Sequence, residues 1–312
     1  RNTLLLFLLY GTFSVWAQVK TFLSVDVEND FINFRGRGTD HYYTGGNQLH
    51  FFQENDKHIV RSFGISITQL AFTPSDLQET DPSLLDYPYA GLLFCSAHLL
   101  VMAPEKKWRF YNTISLGATG AKSGVAEWQS TVHRIIGDEI PKGWFLSQPV
   151  TRFIQVEEQL FYPLLTYGDW HLEILQTGEA GNFFNRFKSG LLVYFKRIPE
   201  SYSMLFNSNI NQSAITKQNK ITPSFYLMAQ QSYVLRNRIL EESLFQENYR
   251  LNTLDPATYL ETRLYIISGG VGISKGRFGY YFTQQWQSKE TVLSGAHSFG
   301  AIRFAYQLSK SH

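Results

Sequence analysis

Trp108-Arg109-Phe110-Tyr111-Asn112-Thr113-Ile114-Ser115-Leu116 changes character at nearly every second residue. Trp108, Phe110, Ile114 and Leu116 fall on one face, and Arg109, Tyr111, Thr113 and Ser115 on the other. A period of two marks an extended strand lying between two unlike surroundings. The pattern continues along the chain in both directions. Leu23, Val25 and Val27 share a face near the start, and Val150, Ile154, Val156 and Leu160 oppose Thr151, Gln155, Glu157 and Gln159. The stretch from Phe225 to Tyr233 repeats it against Tyr226, Gln230 and Ser232. Phe278, Tyr280, Phe282, Gln284 and Trp286 then alternate with Gly279, Tyr281, Thr283 and Gln285, before Ile302, Phe304, Tyr306 and Leu308 close the series. About twelve such segments can be marked, each near the ~10 residues that a tilted strand needs to cross an outer membrane. Only a closed barrel satisfies the backbone groups of every strand in lipid. The expected fold is therefore all-β: a transmembrane antiparallel β-barrel of about 12 strands spanning residues 18–312, with a short helix in an extracellular loop.

Composition agrees. Charged residues make up 17% of the 312, against a usual ~25%, while aromatics reach 16%. Mean hydropathy is −0.19, and no stretch after the first twenty residues approaches the ~18 consecutive apolar residues of a spanning helix. The aromatics are expected to face lipid and to cluster at the two interfaces. A single cysteine, Cys95, excludes an intramolecular disulfide framework and a multi-cysteine zinc site. A formal charge of +2 gives no support to a nucleic-acid partner. Residues 1–17 read as a signal peptide: Arg1, an apolar run from Leu4 to Phe13, then Val15-Trp16-Ala17 before a cut. A soluble β-sandwich or lipocalin-like barrel also alternates, but an exported chain with this strand count and aromatic content fits a membrane barrel better.

With the N-terminus on the periplasmic side, alternating strand direction assigns each connection to one rim. The expected external connections are 29–44, 73–88, 120–149, 177–185, 236–256 and 288–297, with short inner turns at 54–57, 103–106 and 275–277. The long connection at 198–220 stands out on the inner side, where it is either a true loop or an unrecognised strand pair.

Chemistry clusters on two external connections. The first strand ends in Asp26-Val27-Glu28-Asn29-Asp30, and the second opens with Tyr43-Thr44-Gly45-Gly46, so antiparallel pairing sets these rims side by side. Asn-Asp at a strand end is also an ordinary turn former. In the third connection Trp128, Val132 and Ile135 recur at helical spacing, Gln129 and His133 sit one turn apart on a neighbouring face, and Gly137 is a natural helix stop. The helix would hold an imidazole over the rim, with Glu139 just past its end. A histidine beside carboxylates on a hydrophobic rim is a candidate general base.

Asn29-Asp30, Tyr43-Thr44 and the run Gln129-x-x-x-His133-Arg134-Ile135-Ile136-Gly137-x-Glu139 resemble the outer-membrane lipid A 3′-O-deacylase family (LpxR-like). Asp86-Tyr87-Pro88-Tyr89-Ala90-Gly91 is similar to a further segment of that family. The resemblance implies a twelve-stranded barrel and calcium-dependent hydrolysis of the acyloxyacyl chain at the 3′ position of lipid A. It implies Asn29, Asp30, Thr44, Gln129, His133 and Glu139 as the site. The family's basic substrate-contacting pair is left unplaced, and residues 73–87 are acidic. Implied partners are lipid A or lipopolysaccharide and outer-membrane lipid, with the barrel working as a monomer.

These residue types suit ester hydrolysis by activated water. His133 would take the proton from water, while a hard cation polarises the ester carbonyl. Asp30 and Glu139 suit Ca²⁺, which prefers oxygen ligands, and Asn29 and Thr44 offer further oxygens. Two rivals stand beside this reading. An outer-membrane phospholipase with a covalent Ser mechanism needs a Ser beside its base, and no His here is followed two residues later by Ser. A passive porin would make the same residues ordinary loop polars.

Overall fold

The computed structural model describes residues 20–33, 42–54, 60–102, 108–195, 221–240 and 259–308. The expected leader at 1–17, His41 and the 198–220 connection lie outside them. Twelve strands follow in chain order: β1 (Lys20–Asn29), β2 (Tyr42–Glu54), β3 (Val60–Thr73), β4 (Ala90–Met102), β5 (Arg109–Thr119), β6 (Arg152–Tyr167), β7 (Trp170–Gly181), β8 (Phe184–Phe195), β9 (Thr222–Asn237), β10 (Arg263–Lys275), β11 (Phe278–Gln287) and β12 (His297–Gln307). One helix of three turns, α1 (Val125–Ile136), lies between β5 and β6. Each strand pairs antiparallel with its chain neighbours, and β12 returns to β1 from Phe22↔Gln307 to Asn29↔Gly300, closing the sheet. No helix among the described residues is long and apolar enough to cross a membrane; the crossing elements are strands.

Closure gives every strand an inner and an outer row. On β5, Ile114 and Leu116 are 55% and 56% exposed, whereas Thr113 and Ser115 are 5% and 3% exposed. On β1, Val25 and Val27 look outward, and Ser24, Asp26 and Glu28 look in. Cys95 lies exposed on β4. An apolar wall around a polar interior inverts the arrangement of a soluble barrel.

The interior is filled. Asp26 accepts from Arg303 across the β1–β12 seam, and Arg109 pairs with Glu173 at 2.5 Å while the Tyr194 hydroxyl donates to the same carboxylate at 3.0 Å. Glu179 accepts from both Arg186 and Lys188. Charges buried this deeply persist only when paired and hydrogen-bonded. The expectation that the aromatics face lipid holds for Phe51, Phe63, Phe225, Phe278 and Phe304. It fails for Phe22 and Phe52, for Phe161 and Tyr226, and for Tyr43, Phe72, Phe94, Phe153 and Phe299, which are buried in separate clusters. The reason is volume: a ring of twelve strands is wider than short polar side chains can fill, and each aromatic supplies ~150–250 Å² of contact.

One connection differs from expectation. The fourth external one, expected over 177–185, shrinks to the residues between Gly181 and Phe184, because β7 and β8 run further than their alternation shows. β8 pairs directly with β9 from Phe184↔Asn237 to Phe195↔Phe225, so among the described residues no further strand stands between them.

Candidate active site

The first two strands meet at the external rim in a fixed register. Asn29 lies opposite Gly45, and the Asp30 N–H donates to the Thr44 carbonyl at 3.1 Å. Asn29 performs the turn-forming role of its residue type, with Oδ1 accepting from the Phe31 N–H at 2.7 Å. Thr44 shares a hydroxyl–hydroxyl hydrogen bond with Thr73 at 2.5 Å. The Tyr43 hydroxyl donates to Glu28, whose inward carboxylate follows from the same alternation that points Asp26 inward.

Helix α1 roofs this corner. It rests on the Asp86–Gly91 segment, and Gly91 makes the contact possible: a Cβ there would sit 2.3 Å from Ser123 Oγ and 3.0 Å from Val125 Cβ. Gln69 and Gln148 tie the same ends together, donating to the carbonyls of Ser123 at 2.9 Å and Gly91 at 3.2 Å. At the far end Gly137 adopts φ 77°, a left-handed conformation that favours glycine, and the Asp138 N–H returns to the His133 carbonyl at 2.9 Å.

The helix is turned opposite to a usual amphipathic one. Val125, Gln129 and His133, spaced four apart, form the buried stripe, while Trp128 and Ile135 are 51% and 78% exposed. Ile135 looks outward, and Trp128 stays half exposed, because α1 covers a partly polar cavity instead of packing on a hydrophobic core. That cavity has a volume of about 670 Å³ and brings together Asn29, Thr44, Gln129 and His133. Glu28, Gln69 and Asp138 add polar lining; Val27, Phe31, Trp128, Val132 and Ile136 form an apolar wall.

The two helical side chains are each held from behind. His133 Nδ1 lies 2.6 Å from the Glu139 carbonyl oxygen. A carbonyl only accepts, so the proton sits on Nδ1 and Nε2 is the basic nitrogen. The Trp144 indole N–H donates to Gln129 Oε1 at 2.7 Å.

Asp30 is buried at the same strand end but does not line the cavity. Glu139 reaches the site through its main chain alone; its side chain is exposed. Among the described residues no three His, Cys, Asp or Glu side chains are grouped as a metal cluster. The donors at the rim are carboxylate, amide, hydroxyl and main-chain oxygens, and no Lys or Arg lines the cavity. Such a set suits a hard cation that takes mixed oxygen and water ligands, and Asp30, Asn29 and Glu28 are the side chains that would hold it. The sequence reading missed Glu28, Gln69 and Trp144. Period two could have found Glu28, whereas Trp144 carries no local signal because its role depends on chain folding back over α1.

An apolar-walled barrel whose rim helix roofs a cavity lined by His and Gln defines an outer-membrane barrel with an enzyme-like site. The chain belongs to the outer membrane protein LpxR family, whose profile matches residues 4–308. It is accordingly a protein of the bacterial outer membrane. The structure of LpxR from Salmonella typhimurium shares the fold, with a TM-score of 0.76 and 15% identity over 91% of this chain and 99% of that one. The beta domain of the Bordetella autotransporter Brka gives a TM-score of 0.43 and 10% identity over 93% and 100%. No curated protein matches the chain.

Proposed function

We propose that this chain is a lipid A deacylase, hydrolysing the ester that links the 3′ acyloxyacyl chain to lipid A in the outer leaflet. One observation carries the reading: the cavity joining His133 to Asn29, Thr44 and Gln129 has an apolar wall that includes Val27, a residue of the outward, lipid-facing row of β1. A cavity open toward lipid and ending at a basic nitrogen suits an acyl ester that never leaves the membrane.

In this reading His133 Nε2 takes a proton from water while the water oxygen bonds to the ester carbonyl carbon. The bond from that carbon to the sugar oxygen then breaks, and the proton held by His133 passes to the departing oxygen. One water is consumed; a carboxylic acid and a sugar hydroxyl are formed. The hydrogen bond to the Glu139 carbonyl holds the imidazole in the required tautomer and shares the charge it carries between these transfers. Calcium, held by Asp30 and Asn29 with further oxygens, would polarise the ester carbonyl and offset charge on its oxygen. The barrel closes on itself, so the reading needs no second copy.

Two features weigh against the rivals. The Ser66 hydroxyl does lie 2.8 Å from His98 Nε2, a pairing between strands that sequence spacing hides, but both side chains are buried in the barrel interior and His98 Nδ1 is engaged by Thr113 at 3.2 Å. This contact fits the packing of the interior. A porin needs an open lumen, whereas ion pairs cross this one, and the cavity beside Glu157, Glu179 and Arg186 holds about 30 Å³, space for about one water. Mass spectrometry of lipid A from cells with and without the protein tests the proposal: loss of the 3′ acyloxyacyl mass is expected, and identical lipid A would overturn it.

A further inference from the structure

The amide of Gln129 has a defined direction. An indole nitrogen can only donate, so Trp144 Nε1 at 2.7 Å must face the amide oxygen, which turns the amide nitrogen the other way. That nitrogen is buried, and among the described residues no acceptor reaches it. Its side chain lines the same cavity as His133. A buried donor left without an acceptor is costly, and where one persists it asks for an explanation.

Trp144 is itself fixed from outside the cavity. Its ring lies 5.1 Å from that of Tyr89, and it packs with Leu77 against the cluster of Leu85, Tyr89 and Leu146. The Tyr89 hydroxyl donates to the Leu77 carbonyl at 3.2 Å, and a Cβ on Gly143 would meet the Tyr89 ring at 2.3 Å. The indole therefore approaches Gln129 from a rigid base.

We propose that the Gln129 amide N–H donates to the carbonyl oxygen of the scissile ester as it gains negative charge, and that Trp144 is the positioning residue that keeps the amide turned that way. The inference rests on the hydrolase reading above. Without the indole N–H the amide can rotate and present its own oxygen to the developing charge, so a stabilising donor becomes a repelling acceptor.

The test uses the full chain in mixed micelles with lipopolysaccharide and calcium, measuring kcat and KM from released acid by mass spectrometry. Heat-modifiable mobility in electrophoresis reports whether each variant is folded. Gln129→Ala should lower kcat about a hundredfold with KM nearly unchanged, the usual scale for losing one such donor. Trp144→Phe keeps a ring beside Tyr89 and should lower kcat about tenfold, a fraction of that loss. In the Gln129→Ala background it should cost nothing more, which a merely structural role for Trp144 would not produce. Should Trp144→Phe misfold, benzothienylalanine at position 144 keeps the bicyclic shape, removes only the N–H, and should show the same tenfold loss. Wild-type kcat in either folded variant, or an equal loss in both backgrounds, overturns the positioning role. An inactive wild type would instead overturn the hydrolase reading itself.

Discussion

His133 Nδ1 donates to the main-chain carbonyl of Glu139 at 2.6 Å, six residues onward and beyond the left-handed turn at Gly137. The contact makes a backbone atom a group that orients the imidazole.

His133→Ala should therefore remove detectable release of the 3′ acyloxyacyl chain while the barrel still folds, since loss of a general base costs about a hundred- to ten-thousand-fold in rate. His41→Ala, outside the helical scaffold, should retain most activity. Comparing the two in the lipid A assay checks this; normal deacylation by His133→Ala with loss in His41→Ala would place the base elsewhere.

Chelation of calcium should abolish activity, with the Asp30 and Glu139 variants responding differently. Asp30→Asn removes a charge with little change of shape and should shift the calcium dependence to higher concentration. Glu139→Gln keeps the carbonyl that holds His133 and should leave the calcium response within about twofold, the exposed side chain adding only weak surface electrostatics. A calcium titration of deacylation rate for the three proteins decides; an equal shift in both variants would make the Glu139 carboxylate a ligand.

The wall of the barrel makes a separate prediction. Ile114 is outward and Thr113 is enclosed, bonded to His98 at 3.2 Å. Ile114→Arg should impair assembly by about 2–4 kcal/mol if its depth is near the midplane. From alternation alone Thr113→Arg is expected to be mild, but the filled interior makes it damaging too, by overpacking. Thr113→Ser should fold as wild type. Folded fractions from heat-modifiable electrophoresis would test the assignment, and a fully folded Ile114→Arg protein would contradict it.

The connection between β11 and β12 carries a pH dependence. Glu290 is buried between β11 and β12, accepting from the Tyr87 hydroxyl at 2.8 Å and Asn237 at 3.4 Å, and burial pushes its carboxyl above the ordinary value of 4.5, with Arg186 partly offsetting the rise. Because the folded value exceeds the unfolded one, its contribution is complete below about 4.5 and is lost as pH rises through the raised folded value. Thermal stability should accordingly fall over that window in the wild type and fall less in Glu290→Gln. Parallel melting curves measured from pH 4 upward would refute the assignment.

The sequence by itself determined the wall of this protein. A period of two puts Ile114 and Leu116 on one face and Thr113 and Ser115 on the other whatever surrounds them, and enough such segments without a spanning helix leave a closed barrel as the consistent answer. It also determined the rim pairing, because β1 and β2 are neighbours in the chain and their register brings Asn29 to Gly45. Tertiary structure alone decided what lies inside and which face of α1 turns in. Alternation distinguishes two sides but cannot say how wide the space on the inner side is, so the enclosed Phe94, Phe153 and Phe299 were not legible. Helical spacing marks Trp128, Val132 and Ile135 as a stripe, yet the buried stripe is Val125, Gln129 and His133, because what lies beneath the helix is a polar rim. Trp144 meets Gln129 only after the chain has turned at Gly137 and folded back, a contact fixed by packing against Tyr89 and by no local pattern.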